Sequence, residues 1–204
     1  LISRFATKPL RRHRGFSLVE AAIVLGVFSI IVSALWAVVG SVREKVRQEQ
    51  AFEQIVMVVN NVRAFYKGQA GISGGYPTLT NDLLVNQVIP PDMHRPGTAA
   101  PGMLADHPWG PVGSAAANGG FLVRAEGDHQ SFRIRLLGLK RDSCIAMAMK
   151  LGPTKGATGL QSVGINANTL SPPVSLASAS ARCNVTASSG NRVEFVFRLR
   201  QPSH

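Results

Sequence analysis

Acidic residues are scarce in this chain, with 11 Asp and Glu among 204 residues. Paired-carboxylate chemistry therefore has few candidates. Nucleophile and phosphate-loop signatures are missing as well: there is no G-x-S-x-G, no H-E-x-x-H and no G-x-x-x-x-G-K-[ST]. "GPTKGATG" at Gly152–Gly159 has its lysine in the wrong place, and no strong strand pattern precedes it. Asp106 and His107 are adjacent in "ADHPWGPVG", where Pro108 and Gly110 read as a turn. Two cysteines, Cys144 and Cys183, cannot complete a tetrahedral zinc site. His13, His94, His107, His129 and His204 are spread along the chain. No internal repeat is present. Together these absences argue against an enzyme, a metal site or any other cofactor.

Charge of the other sign is plentiful, with 22 Lys and Arg and a net charge of +11. Such a balance ordinarily raises nucleic acid as a partner, but its distribution points elsewhere. Arg4, Lys8, Arg11, Arg12 and Arg14 fall in the first fourteen residues with no acid among them. Removing these five leaves 17 basic against 11 acidic residues, a scattered surplus of six. A basic cluster directly before an apolar run marks the side of a membrane that stays cytoplasmic. No specific nucleic acid is predicted.

Charge is absent altogether from Ala21 to Gly40. A helix of that length rises about 30 Å, the hydrocarbon thickness of a bilayer. A buried core helix would show a polar face, and this run shows none. A cleaved secretory signal would be shorter and would end at a small-residue A-x-A site, which does not follow. A membrane-spanning helix is the better reading. One carboxylate, Glu20, stands at its start.

From Val42 the pattern turns amphipathic. Phe52, Ile55, Val59, Val62 and Tyr66 recur at three- and four-residue steps, and Val58 and Phe65 widen the stripe. Arg43, Glu44, Arg47, Gln48 and Glu49 are expected to form polar surface, and Gly68 to stop the helix. One helix is thus predicted from Phe16 to Lys67. Loop follows, with a short helix at Asn81–Asn86. Strands are predicted at "FLVRA" from Phe121, at "SFRIRLLG" and, most strongly, at "NRVEFVFRLR"; "LQSVGIN" from Leu160 is a weaker strand pattern. Asp142 is placed as the N-cap of a short helix reaching about Leu151. A long helix followed by an antiparallel sheet makes an α+β protein.

Beyond a spanning segment whose basic end is cytoplasmic, disulfides persist. A bridge between Cys144 and Cys183 would close a loop of about 40 residues, worth roughly 4 kcal/mol in the chain-entropy model. The alternative is two unrelated buried thiols.

"RGFSLVE", followed by the uncharged twenty-residue run, resembles the class III signal of type IV pilins. "FYKGQAGISGG", "LLVNQVIPPDM", "DHPWGPVG" and the late Cys144/Cys183 pair are similar to type IVb pilins, in particular bundlin and the PilS-type conjugative pilins. Phe16 as first mature residue is more typical of type IVa, whereas a leader of at least fifteen residues favours IVb. The resemblance implies a pilin fold, a long N-terminal helix packed on an antiparallel sheet with a disulfide-stapled C-terminal region. It implies a basic leader at 1–15, a transmembrane and filament-core helix at 16–42, and at 43–204 an amphipathic half-helix with a globular domain. It further implies that prepilin peptidase cuts after Gly15 and N-methylates Phe16. The partners would be the inner membrane, the pilus assembly machinery and copies of the same chain, first as an inner-membrane prepilin and then as an extracellular pilus. Adhesion, aggregation and conjugative contact are all roles of such filaments.

The carboxylate then has an explanation. A charge in a spanning helix costs about 2.5–3.5 kcal/mol at the bilayer centre and less near the interface, so it persists where it gains a partner. The family implies that Glu20 neutralises the Phe16 amine of a neighbouring subunit. The apolar helix has no proline, leaving Gly26 and Gly40 as its weak points. Two further readings stand beside the major subunit: a minor pilin or type II secretion pseudopilin, and a membrane-anchored periplasmic binding domain.

Overall fold

A computed structural model of the chain describes residues 17–67, 88–94, 105–110, 120–151, 159–186 and 189–199. The basic leader, Gly15, Phe16, Gly68, the helix expected at Asn81–Asn86, most of "GPTKGATG" and Arg200 lie outside the described residues.

Helix α1 runs Leu18–Phe65. The chain divides between Arg43 and Glu44 into two compact units. In the first unit α1 is exposed: Leu25, Phe28, Ile30, Leu35 and Trp36 each keep more than half of their surface. This is the one helix among the described residues long and apolar enough to cross a membrane, and none of its most apolar stretch is buried. Its hydroxyls are satisfied internally. Ser29 donates to the Gly26 carbonyl over 2.8 Å, and Ser33 to that of Ser29 over 2.8 Å, so neither hydroxyl is left unpaired in the uncharged run.

In the second unit α1 buries one side. Ala51, Ile55, Val58, Val59 and Val62 are fully or nearly fully buried, and Phe52 and Tyr66 pack against them in part. The stripe is the expected one with two changes. Ala51 joins it, and Phe65 stays 43% exposed because it falls off its edge. After α1 a turn closes through Tyr66 and Lys67, whose amides reach the Val62 and Ala64 carbonyls.

Five strands form one antiparallel sheet in the order β1-β2-β5-β3-β4: β1 Phe121–Ala125, β2 Ser131–Leu139, β3 Leu160–Ile165, β4 Asn168–Leu170 and β5 Asn191–Arg198. Alternation sets the register. Phe132, Ile134 and Leu136 on β2 lie opposite Phe197, Phe195 and Val193 on β5, and all six are buried. The Phe132 and Phe197 rings stack at 5.7 Å. This face and the buried side of α1 belong to one hydrophobic core. The pairing slips between Leu136 and Leu139, a bulge that places Gly138 at φ +77° against Gly190 at φ +65°.

Two short helices complete the described fold: α2, Arg141–Leu151, and α3, Leu176–Arg182. Asp142 is not the N-cap of α2. It lies in the first turn, where a carboxylate complements the helix dipole, while the Lys140 carbonyl accepts from the Cys144 amide. Helix α3 is capped by Ser175, whose side chain accepts from the Ser178 amide. A single 3-10 turn at Pro91–Met93 falls where loop is expected.

Candidate functional site

Glu20 sits in the first turn of α1, exposed, with Leu18 and Val19 beside it 86% and 64% exposed. Among the described residues it makes no hydrogen bond or ion pair. A carboxylate is favourable at a helix N-terminus, but it has no charged partner there within the described chain. Phe16 and Gly15 lie outside the described residues.

Cys144 on α2 and Cys183 at the end of α3 are bonded, their Cα atoms 5.9 Å apart and both side chains fully buried. The open alternative of two separate thiols is thereby closed. Beside the bridge lies an amide network that composition does not reveal. Asn191, 1% exposed, donates from Nδ2 to the Leu139 and Val185 carbonyls over 3.2 and 3.1 Å. Its Oδ1 accepts from the Val185 amide at 3.0 Å and from Asn166 Nδ2 at 3.2 Å. The Asn191 side chain thus satisfies buried backbone groups of Leu139 and Val185 at the start of β5.

Glu44 departs from expectation. It is half-buried, and its Oε1 accepts from Trp109 Nε1 at 2.8 Å and Ser143 Oγ at 2.7 Å. Burial works to raise its carboxyl. The hydrogen bonds from Ser143, Trp109 and Gln48, with Arg47 nearby, overcome that and hold it below the ordinary value. The signal was present: Glu44 continues the buried stripe seven residues before Ala51, two helical turns away. His107, 3% exposed, faces the Leu137 carbonyl across 2.7 Å from Nε2, and burial pushes its ring below the ordinary histidine value. The turn at Pro108 and Trp109 is as expected, closed by the Gly110 amide on the His107 carbonyl.

The other face of the sheet carries Arg133, Arg135 and Arg192, a gathering the alternation of β2 and β5 implies. They are more than solvated charges, because all three converge on Glu194, itself 8% exposed. Arg133 also holds both oxygens of Glu126, at 2.6 and 3.1 Å. Among the described residues no group of three His, Cys, Asp or Glu could hold a metal ion.

The family model for bundlin matches residues 40–200, and the model for the prokaryotic N-terminal methylation motif matches residues 10–36. The chain is a type IVb pilin of the bundlin family. Among solved structures it is similar to a type IVb pilin from Salmonella typhi determined by crystallography, at 16% identity and a TM-score of 0.43, covering 70% of this chain and 93% of that one. It is also similar to the type IVb pilin PilS from Salmonella typhi determined by NMR, at 18% identity and a TM-score of 0.41, covering 72% and 92%. No curated protein matches it. The bundlin match begins at Gly40 and takes in the globular unit of this pilin, while the methylation motif takes in Gly15, Phe16 and Glu20. Pilins are structural proteins and not enzymes, in keeping with the missing catalytic signatures.

Proposed function

We propose that this pilin is the repeating subunit of an extracellular type IVb filament. It is made as an inner-membrane prepilin with residues 1–15 cytoplasmic. Prepilin peptidase cuts after Gly15 and methylates the amine of Phe16. Residues 16–42 hold the chain in the membrane and then form the filament core, and 43–204 form its outer domain. The observation that carries this reading is the single acid, Glu20, on the part of α1 inside the methylation motif, which is otherwise uncharged and exposed. Once Gly15 is removed, a positive amine stands four residues from Glu20, about one helical turn. Within one chain that amine is fixed to the same helix end. Between chains, in a water-poor bundle of helices, the pair sets axial register, because an unmatched charge there is costly.

Glu20→Ala tests the reading, scored by the yield of filaments sheared from cells expressing it as sole subunit. Yield should fall at least tenfold while the processed subunit remains in the inner membrane. Filaments at normal yield would remove Glu20 from assembly. Sequencing the mature amino terminus checks the cut, which should begin at N-methylated Phe16. Quantitative mass spectrometry of sheared filaments separates a major from a minor subunit.

A further inference from the structure

His107 is a buried ring with one nitrogen in use and the other idle. It is 3% exposed, and its Nε2 lies 2.7 Å from the Leu137 carbonyl of β2. A carbonyl only accepts, so Nε2 carries the proton and Nδ1 is the lone-pair nitrogen of a neutral ring. Among the described residues Nδ1 has no hydrogen-bond partner. The ring is held closely on two sides. A Cβ on Gly120 would meet Nε2 at 3.0 Å, and the Trp109 ring stands edge-on at 5.4 Å.

His107 lies in the middle of a short segment tied to several parts of the globular unit. The Asp106 amide donates to the Met93 carbonyl at 2.8 Å, and the Ala105 carbonyl accepts from the Phe121 amide at 2.8 Å. Asp106 Oδ1 accepts from the Gly120 amide at 3.0 Å, and Trp109 donates to Glu44 of α1. Ala105 thereby covers β1, an edge strand of the sheet, beside the buried ring of Phe121.

We propose that residues 105–110 are an acid-released strap, opened by protonation of His107 at Nδ1. The proton gives the ring a second donor that is buried and unmatched, and freeing the segment lets that donor reach water. The strap then leaves the Leu137 carbonyl and Glu44, and Phe121 is uncovered at the edge of β1.

Burial disfavours the charged ring, and it outweighs the Leu137 carbonyl, the residue's own carbonyl and the Asp106 charge, which favour it. With the folded value lowered, the closed strap has its full stability above the open-state value of about 6.5. That stability is lost as pH falls toward the folded value. Glu44, with Arg47 beside it, is held below its ordinary carboxylate value and stays charged through this range. His94, on the neighbouring turn, faces the Ile89 carbonyl instead.

Hydrogen exchange of the full chain, unassembled in dodecylphosphocholine micelles and corrected for the intrinsic rate at each pH, tests the strap. Between pH 7.5 and 5.5 the opening of the Asp106, Gly120 and Phe121 amides should rise about five- to tenfold, tenfold being the limit for one proton taken up at about 6.5. The amides of β5 should keep their protection. His107→Gln retains a donor for the Leu137 carbonyl and takes up no proton, so its opening should stay constant over this range. Should that variant unfold, the His107 ring resonances of the parent decide, because the neutral Nε2–H form should persist below pH 6.5 wherever the segment is closed. Protection independent of pH, a loss shared equally by β5, an equal loss in folded His107→Gln, or a ring that ionises at pH 6.5 or above with the segment closed would each overturn the proposal.

Discussion

Trp109 donates its indole N–H to Glu44 across 2.8 Å, although 65 residues separate them in sequence. Ser143 of α2 meets the same oxygen at 2.7 Å. One carboxylate therefore collects a helix, a turn and a second helix of the globular unit. Substitution by an apolar residue leaves two donors without an acceptor, which costs more than the bond itself.

The Glu44 contacts carry a pH dependence. Because the folded protein holds this carboxyl below its ordinary value, it contributes stability above the unfolded value, and that stability is lost as pH falls through the folded one. Glu44→Gln should reduce stability at pH 7 and make the acid-side decline between about pH 5 and 3 shallower than in the parent. Urea midpoints across that range check it. Parallel curves for the two proteins would show that Glu44 does not titrate in this role.

Replacing Cys144 and Cys183 together by Ser should lower stability by about 2–5 kcal/mol, the usual cost of losing a native bridge in a small extracellular domain. Reduction of the parent protein should produce the same loss, and reductant should leave the double variant unchanged. Thermal unfolding with and without dithiothreitol measures both.

Asn191→Leu keeps bulk at a buried position and removes every bond of the amide network. The Leu139 carbonyl and both backbone groups of Val185 then lose their partner. With roughly 1–3 kcal/mol for each buried group left unpaired, at least about 2 kcal/mol should be lost in urea unfolding, offset in part by the gain in apolar burial.

Gly190→Ala and Gly127→Ala should behave oppositely. A Cβ on Gly190 would lie 2.6 Å from the Gly138 carbonyl carbon, on a backbone already at φ +65°. Backbone on both sides of the bulge must move, so a loss of more than about 2 kcal/mol is expected. At Gly127 nothing lies within 4 Å, and the change should fall within about 0.5 kcal/mol of the parent. Differential scanning calorimetry distinguishes them.

Periodicity made the long helix and the central sheet readable. Val193, Phe195 and Phe197 announce a half-buried strand by alternation, and Ile55, Val59 and Val62 announce a buried helical stripe. β4 and α3 were not readable because each is too short to develop a period. Asn168–Leu170 pairs only with β3, and Leu176–Arg182 buries only Ala179. Asp142 misled because an acid serves equally well as cap or as first-turn residue. Glu44 and Glu194 were hidden for a common reason: a pattern of residue types counts a carboxylate as surface until its partners are known. Most of those partners, Trp109 and Ser143 in one case and Arg133 and Arg135 in the other, come from distant parts of the sequence, while Arg192 is a close neighbour of Glu194. The Cys144–Cys183 bond was legible as a possibility, and only the proximity of α2 to the end of α3 decided it.

The order of the sheet has a consequence for biosynthesis. β5 is the last strand in sequence, yet it lies in the middle, hydrogen-bonded to β2 on one side and β3 on the other. Until it emerges from the ribosome, β1–β2 and β3–β4 are two hairpins with no described strand to join them. A chain cut short before Asn191 cannot close its sheet, and the apolar faces of both hairpins stay uncovered for proteases and chaperones to find. The topology thus makes a closed sheet in the globular unit conditional on a chain that reaches through β5.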